Sequence, residues 1–282
     1  MNYRHAYHAG NFADVLKHAV LCLGLTYLKK KEAAFRVLDS HAGIGCYDLA
    51  GAEAEKTGEW RHGIGKLIAP EAAALPAQAA TLLAPYLDIV RKLNQGGELV
   101  HYPGSPLLAQ ALTRPQDRLV FCELHPADAG ALRAGLPRDA RMQIHHMDGW
   151  QALKAMLPPP ERRGLILVDP PYEQRGELDR LVAGFAAAYR RFATGMYMLW
   201  YPIKDVASID AMAGAIKAQG LSKLLRVELL IRAPDDPALL NGCGLLIINP
   251  PFTLAADLQA ILPLLTDRLA QGRGAGFNLQ DM

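Results

Sequence analysis

The chain has 282 residues, about 1.9 times a typical domain of about 150, which points to one large domain or one domain carrying a sizeable insertion. Hydrophobic residues make up 51% and charged residues 21%, which excludes a disordered or fibrous chain. Lys+Arg 30 against Asp+Glu 28 gives a net charge of +2, which excludes a strongly basic coat but not a local nucleic-acid patch.

In chain order, the first eighteen residues crowd polar aromatics and cations together: Tyr3, Arg4, His5, Tyr7, His8, Asn11, Lys17 and His18. The segment lacks the apolar core of a signal peptide. It suits an arm that meets RNA through tyrosine stacking and positive charge. His5 and His8 have HxxH spacing, but the sequence offers no acidic or cysteine partner at a metal-site spacing, and no metal is expected.

The first apolar run, residues 35–38, opens into Asp39-Ser40-His41-Ala42-Gly43-Ile44-Gly45. Glycines there let the backbone approach a ligand closely. The spacing is neither the dinucleotide fingerprint nor a P-loop, which argues against phosphate cradling and against an NAD oxidoreductase. It suits the amino-acid end of S-adenosylmethionine; a plain strand-to-helix turn is the alternative. From Gly45 to about Arg118 no strand is expected. Residues 47–100 read as a small helical insertion with breaks near Pro76 and Pro85, serving as a lid or as packing. The main fold resumes at Tyr102-Pro103-Gly104-Ser105-Pro106, where Ser105 is expected to cap a helix that begins at Pro106.

Further apolar runs follow at 119–122, 142–147, 165–168, 196–200, 224–231 and 245–248. Runs of this length closed by Gly, Pro or Asp read as buried strands. Seven strands alternating with helical stretches predict an α/β fold, a mostly parallel sheet covered on both faces. Ligands of such sheets bind at the carboxyl ends of the strands, near the switch in strand order. The eleven residues 232–242 are too few for a helical crossover, so the last two strands should form an antiparallel hairpin. The tail 272–282 is expected to be loose. No apolar stretch has the ~18 uncharged residues of a membrane span. Cys22, Cys46, Cys122 and Cys243 lie far apart with no CxxC pair, so neither a zinc finger nor a disulfide framework is expected. These features predict a cytoplasmic monomer with reduced thiols.

The chemistry concentrates at strand ends, which carry Asp39, Glu123, Asp148 and Asp169. Asp169-Pro170-Pro171-Tyr172 is rigid, because two prolines fix φ and remove two donors. A carboxylate, carbonyl oxygens without competing amides and an aromatic ring suit a planar base bearing an amino group. The amine would donate to Asp169 and to the Pro170 carbonyl while Tyr172 stacks, a contact worth ~1–3 kcal/mol per base. Asn249-Pro250-Pro251-Phe252 repeats the pattern, but its strand should run against the sheet and end at the opposite edge, which makes it structural. Glu123 can accept ribose hydroxyls and Asp148-Gly149 an adenine amine; a solvated strand-end acid is the alternative for each.

Taken together, NYRHAYHAGNFADVLKH, LDSHAGIG, YPGSPL, ELHP, DGW, RRGLILVDPPYE, RFATGMYMLWYP and INPPF resemble the bacterial 23S rRNA (adenine-2030-N6)-methyltransferase family over nearly the whole chain. The resemblance implies a Rossmann-like class I methyltransferase fold with a seven-stranded sheet and a helical insertion. It implies S-adenosylmethionine as cofactor and 23S rRNA as partner. It also implies that His18, His41, Ser105, Glu123, Asp148, Gly149 and Asp169 surround the cofactor. Asp169, with Pro170 and Tyr172, would be catalytic, and Tyr3, His5 and Lys17 would meet the substrate from residues 1–18. Two other readings stand beside it: a DNA adenine-N6 methyltransferase using the same site, and a non-catalytic RNA-binding ribosome-assembly protein on a relict fold. The retained strand-end acids speak against the relict.

Overall fold

The computed structural model describes residues 4–69 and 72–282. Helix α1 (Phe12–Leu28) is apolar almost all round, and fifteen of its seventeen residues are buried. A helix of that kind belongs in a core. Asn11 starts it: its Oδ1 accepts from the Ala13 and Asp14 amides at 2.9 and 3.0 Å. The chain continues through β1 (Arg36–Asp39), β2 (Cys46–Asp48), α2 (Ala52–Thr57), α3 (Gly65–Ile68), α4 (Ala77–Leu93), β3 (His101–Pro103) and α5 (Ser105–Leu112). Strands and helices then alternate: β4 (Arg118–Glu123), α6 (Pro126–Gly135), β5 (Met142–His146), α7 (Gly149–Ala155), β6 (Gly164–Val168), α8 (Glu177–Arg191), β7 (Met196–Ile203) and α9 (Val206–Lys217). The last elements are β8 (Leu224–Leu230), β9 (Gly242–Ile248), α10 (Leu254–Leu269) and β10 (Gly276–Asp281).

The main sheet has the order β10-β8-β9-β7-β6-β1-β4-β5. Strands β5, β4, β1, β6 and β7 pair in parallel. β9 runs antiparallel between β7 and β8, so the expected hairpin is present. Successive side chains face opposite sides. Val37, Leu165 and Leu167 join a core with α1 and α10, whereas Leu38, Ile166 and Val168 join a second core under α7, α8 and α9. Each such buried side chain contributes about 1.5–3 kcal/mol. The strand order reverses at β1, which opens the crevice where such sheets hold ligands.

The seven expected strands form the mostly parallel sheet that the resemblance implied, and the tail departs from expectation by adding an eighth. β10 pairs antiparallel with β8, from Gly276 opposite Leu230 to Asp281 opposite Leu225. Phe277 and Leu279 pack on the α1 core. Asn278 Nδ2 donates to Glu228 Oε2 at 3.0 Å. Glu228 Oε1 accepts from Tyr201 Oη and Arg226 Nε at 3.0 and 2.9 Å, so the tail helps satisfy a buried carboxylate.

The long connection also differs in detail. Two short strands frame it, with Tyr47 of β2 opposite Tyr102 of β3. Pro76 precedes α4 as expected, but Pro85 lies inside that helix. The buried side chains of Leu83, Tyr86, Leu87 and Val90 carry α4 across the missing hydrogen bond. β7 likewise runs past Tyr201 and Pro202 to Ile203.

Candidate active site

The N-terminal part of α1 meets the end of β6 through Lys17. Lys17 Nζ lies 2.6 Å from Asp169 Oδ2 and 2.8 Å from Asp14 Oδ1. Asp14 Oδ2 also accepts from the Gly10 amide at 2.9 Å and contacts His5 Nε2 at 2.9 Å. Burial opposes the Lys17 charge, yet Asp14 and Asp169 outweigh it and hold the ammonium well above its ordinary value. Burial also opposes ionisation of Asp14, but His5 and Lys17 hold it well below the usual carboxylate range.

A cavity opens over the carboxyl ends of β1, β4, β5 and β6. His5, Lys17, His18, His41, Gly43, Ser105, Glu123, Asp148, Gly149, Asp169 and Pro170 line it, so the structure brings these predicted positions together. Its remaining ionised wall residues are Asp128, Glu173, Glu177 and Arg180, which makes six carboxylates against two permanent cations. That balance favours a ligand bearing positive charge. Burial lowers His41 to about 4 and His18 to about 3, so both imidazoles are neutral at pH 7. Glu123 is aimed by two amides: Gly43 N–H donates to Oε2 at 2.9 Å and His125 N–H to Oε1 at 2.8 Å. Asp148 Oδ1 caps α7, accepting from Trp150 N–H at 2.7 Å. Gly149 must be glycine, because a Cβ there would overlap the Ser40 carbonyl oxygen and sit 2.7 Å from the His41 ring.

A second cavity adjoins the first. His5, Lys17, Asp169, Pro170, Pro171 and Glu173 border both. The second is completed by Tyr172, Trp200, Pro202, Lys204 and others. Tyr172 takes a left-handed conformation, φ 53°, and its Oη donates to the Trp200 carbonyl at 2.6 Å. Its ring meets Trp200 at 5.7 Å with a 60° tilt. The DPPY segment is therefore the wall between two chambers.

Several sequence expectations need correction. Ser105 does not cap α5; its Oγ donates to the buried Asp39 Oδ2 at 2.6 Å, because that enclosed carboxylate needs a donor. The two N-terminal histidines each meet an acidic partner, though not in a shared metal-site arrangement: His5 contacts Asp14, and His8 Nδ1 lies 3.0 Å from Glu59 Oε1, in the insertion. Those bonds form only on folding and join residues 9 and 51 positions apart. Tyr3 lies outside the described residues. Asn249 lies at the far edge of the sheet, where its Nδ2 donates to the Ala193 and Gly195 carbonyls at 2.8 Å each.

Sequence reasoning missed Asp14, Tyr47, Tyr102 and Trp200. Asp14 had a readable signal, its i,i+3 and i,i+4 spacing to Lys17 and His18 on one helix. Tyr102 Oη bonds His18 Nδ1 at 2.7 Å and Tyr86 Oη at 2.7 Å, so the insertion buttresses a wall of the first cavity. Insertion residues also hold the N-terminal arm. Glu53 pairs with Arg4 at 3.0 Å, Thr57 Oγ1 donates to the Tyr7 carbonyl, and the Ile64 amide donates to Gly10 O at 2.8 Å. Among the described residues no helix is long and apolar enough to cross a membrane.

The model of the family described as Ribosomal RNA large subunit methyltransferase D, RlmJ matches residues 32–279. The chain is 44% identical over 269 residues to the Ribosomal RNA large subunit methyltransferase J of Escherichia coli K12, covering 95% of this chain and 94% of that one. It is 44% identical over 277 residues to the protein of the same name from Haemophilus influenzae, covering 98% and 96%. A crystal structure of protein LPL1258 from Legionella pneumophila superposes with a TM-score of 0.88 at 36% identity, covering 97% of this chain and 98% of that one. With a fold-wide match and a DPPY wall between two chambers, this chain belongs to the ribosomal RNA large subunit methyltransferase family that its sequence resembled.

Proposed function

We propose that this protein methylates the exocyclic N6 amine of an adenine in 23S rRNA, adenine 2030, using S-adenosylmethionine. The observation that carries the reading is the shared wall: Asp169 and Pro170 border both the acidic cavity and the second chamber. A methyl donor on one side and a base on the other would meet there. The family name and the curated relatives support ribosomal RNA as the substrate.

The first cavity fits the cofactor by its donor set. Glu123 would accept the ribose hydroxyls and Asp148, beside Gly149, the adenine amine. His18, Ser105 and Asp169 would surround the amino-acid end, with neutral His41 on the wall. When bound, S-adenosylmethionine supplies an activated methyl group on a sulfonium.

The target adenine must leave its stack to enter the second chamber. Its amine is a poor nucleophile, because the nitrogen lone pair is delocalised into the ring. The Asp169 carboxylate and the Pro170 carbonyl accept the two N6–H groups and draw that lone pair out of conjugation. Tyr172, fixed through its hydroxyl, and Trp200 provide aromatic surface for the base. Lys17 holds Asp169 in place, and His5 and Tyr3 meet the substrate from the arm. Positioning supplies much of the acceleration. The amine proton leaves afterwards to Asp169 or water.

The test is transfer of labelled methyl groups to two substrates: in-vitro-transcribed 23S rRNA and duplex DNA. Label in the rRNA alone is expected. Label in the DNA alone would favour a DNA methyltransferase, and neither product would favour a non-catalytic binding protein.

A further inference from the structure

Asp14 has no place in the reaction as described so far, yet with Asp39 it is one of the two most deeply buried carboxylates near the reacting centre. It is 1% exposed, borders the second chamber beside Lys17, and shares the Lys17 ammonium with Asp169. Its two oxygens meet Gly10 N–H, His5 Nε2 and Lys17 Nζ, with His18 Nε2 at 3.9 Å. Lys17 therefore bonds two carboxylates: Asp14, buried at the wall of the second chamber, and Asp169, which borders both chambers.

If Lys17 faced Asp169 alone, the pair would sum to zero where a cationic methyl donor and an amine acquiring positive charge must meet. Asp14 supplies the second negative charge, and the triad Asp14–Lys17–Asp169 sums to one negative charge. The neighbouring imidazoles of His18 and His41 are neutral and leave that sum unchanged, while His5 also contacts Asp14, at 2.9 Å, and the buried Asp39 carboxylate adds further negative charge nearby.

We infer that Asp14 is a positioning residue that neutralises Lys17, leaving the charge of Asp169 free for the cationic donor and the incoming amine. The inference rests on the cofactor reading above and deepens it. Asp14 lies at the wall of the second chamber, not in the cavity assigned to the donor, and acts on the donor through Lys17. Charge interactions at this range in a partly buried site are strong enough to be read in binding.

The test compares binding of S-adenosylmethionine with that of S-adenosylhomocysteine, which differs by a methyl group and a positive charge. Calorimetry is run on the intact protein at pH 8, above the ordinary imidazole range. Asp14→Asn keeps an oxygen for Gly10 N–H but loses the charge. It should weaken the charged ligand relative to the neutral one by about fivefold or more. The double variant Asp14→Asn/Lys17→Met, which removes both charges, should return the ratio towards wild type. A merely structural role would weaken both ligands alike. If Asp14→Asn does not fold, Lys17→Met alone carries the test and should shift the ratio in favour of the charged ligand. An unchanged ratio in the folded Asp14→Asn variant, or in Lys17→Met, overturns the inference while wild-type binding stands. Wild-type protein that binds neither ligand overturns the cofactor reading and the inference with it.

Discussion

Individual residues in the site divide into those that face a chamber and those that aim them. Asp169 faces both chambers, and Asp169→Asn should leave the fold intact while lowering methyl transfer about 100-fold or more, measured by label incorporation. Near wild-type activity would remove Asp169 from the chemistry. Asp39 belongs to the aiming group. Burial pushes its carboxyl up to about 6, even though Ser105 Oγ and the His41 amide donate to it. A folded value above the unfolded one means this group's contribution to stability is fully present below about pH 4 and is lost as pH rises through about 6. Asp39→Asn should therefore gain on wild type between pH 4 and pH 7 by on the order of 2–3 kcal/mol in urea unfolding. An equal difference at both pH values would contradict this. The strand-end acids were legible because a short apolar run closed by Asp or Glu has one simple reading. Asp14 was overlooked because its role depends on Lys17 reaching Asp169, 152 positions away.

At the scale of elements, the insertion and the N-terminal arm form one clasp. Glu59 lies after α2, and its carboxylate pairs with His8 and accepts from Asn11 Nδ2 at 3.0 Å. The bond from Glu59 raises His8 above the ordinary imidazole value despite partial burial. Burial opposes the charge on Glu59, but His8 and Asn11 hold it below its ordinary value. For the histidine, the sign makes the clasp strongest below about pH 6.5 and weaker as pH rises through the raised value. Hydrogen exchange of residues 4–11, corrected for the intrinsic pH effect, should show less protection at pH 8 than at pH 6. Glu59→Gln should remove that dependence; the same dependence in the variant would place its origin elsewhere. The sequence revealed the helical character of the insertion but not its two framing strands, which are three residues each and held by a single pairing. The final strand was hidden for a related reason. GFNLQD gains order from Phe277 and Leu279 on the core and from Asn278 on Glu228, contacts that no local pattern announces.

For the molecule as a whole, a net charge of +2 conceals a strongly acidic cavity. Positive charge for an RNA backbone must therefore come from local groups, such as Arg4 on the arm and Lys204 at the second chamber. Few phosphate contacts predict a shallow salt dependence for 23S rRNA binding, with a log–log slope no steeper than about −3. A much steeper slope would reveal a phosphate-binding face that the charge balance obscures. The central claim is tested most directly by mass spectrometry of 23S rRNA transcribed in vitro and incubated with the protein and S-adenosylmethionine. The account predicts one N6-methyladenosine, at adenine 2030, and none with Asp169→Asn. A methyl group on another atom or another nucleotide, or undiminished product from the variant, would contradict it.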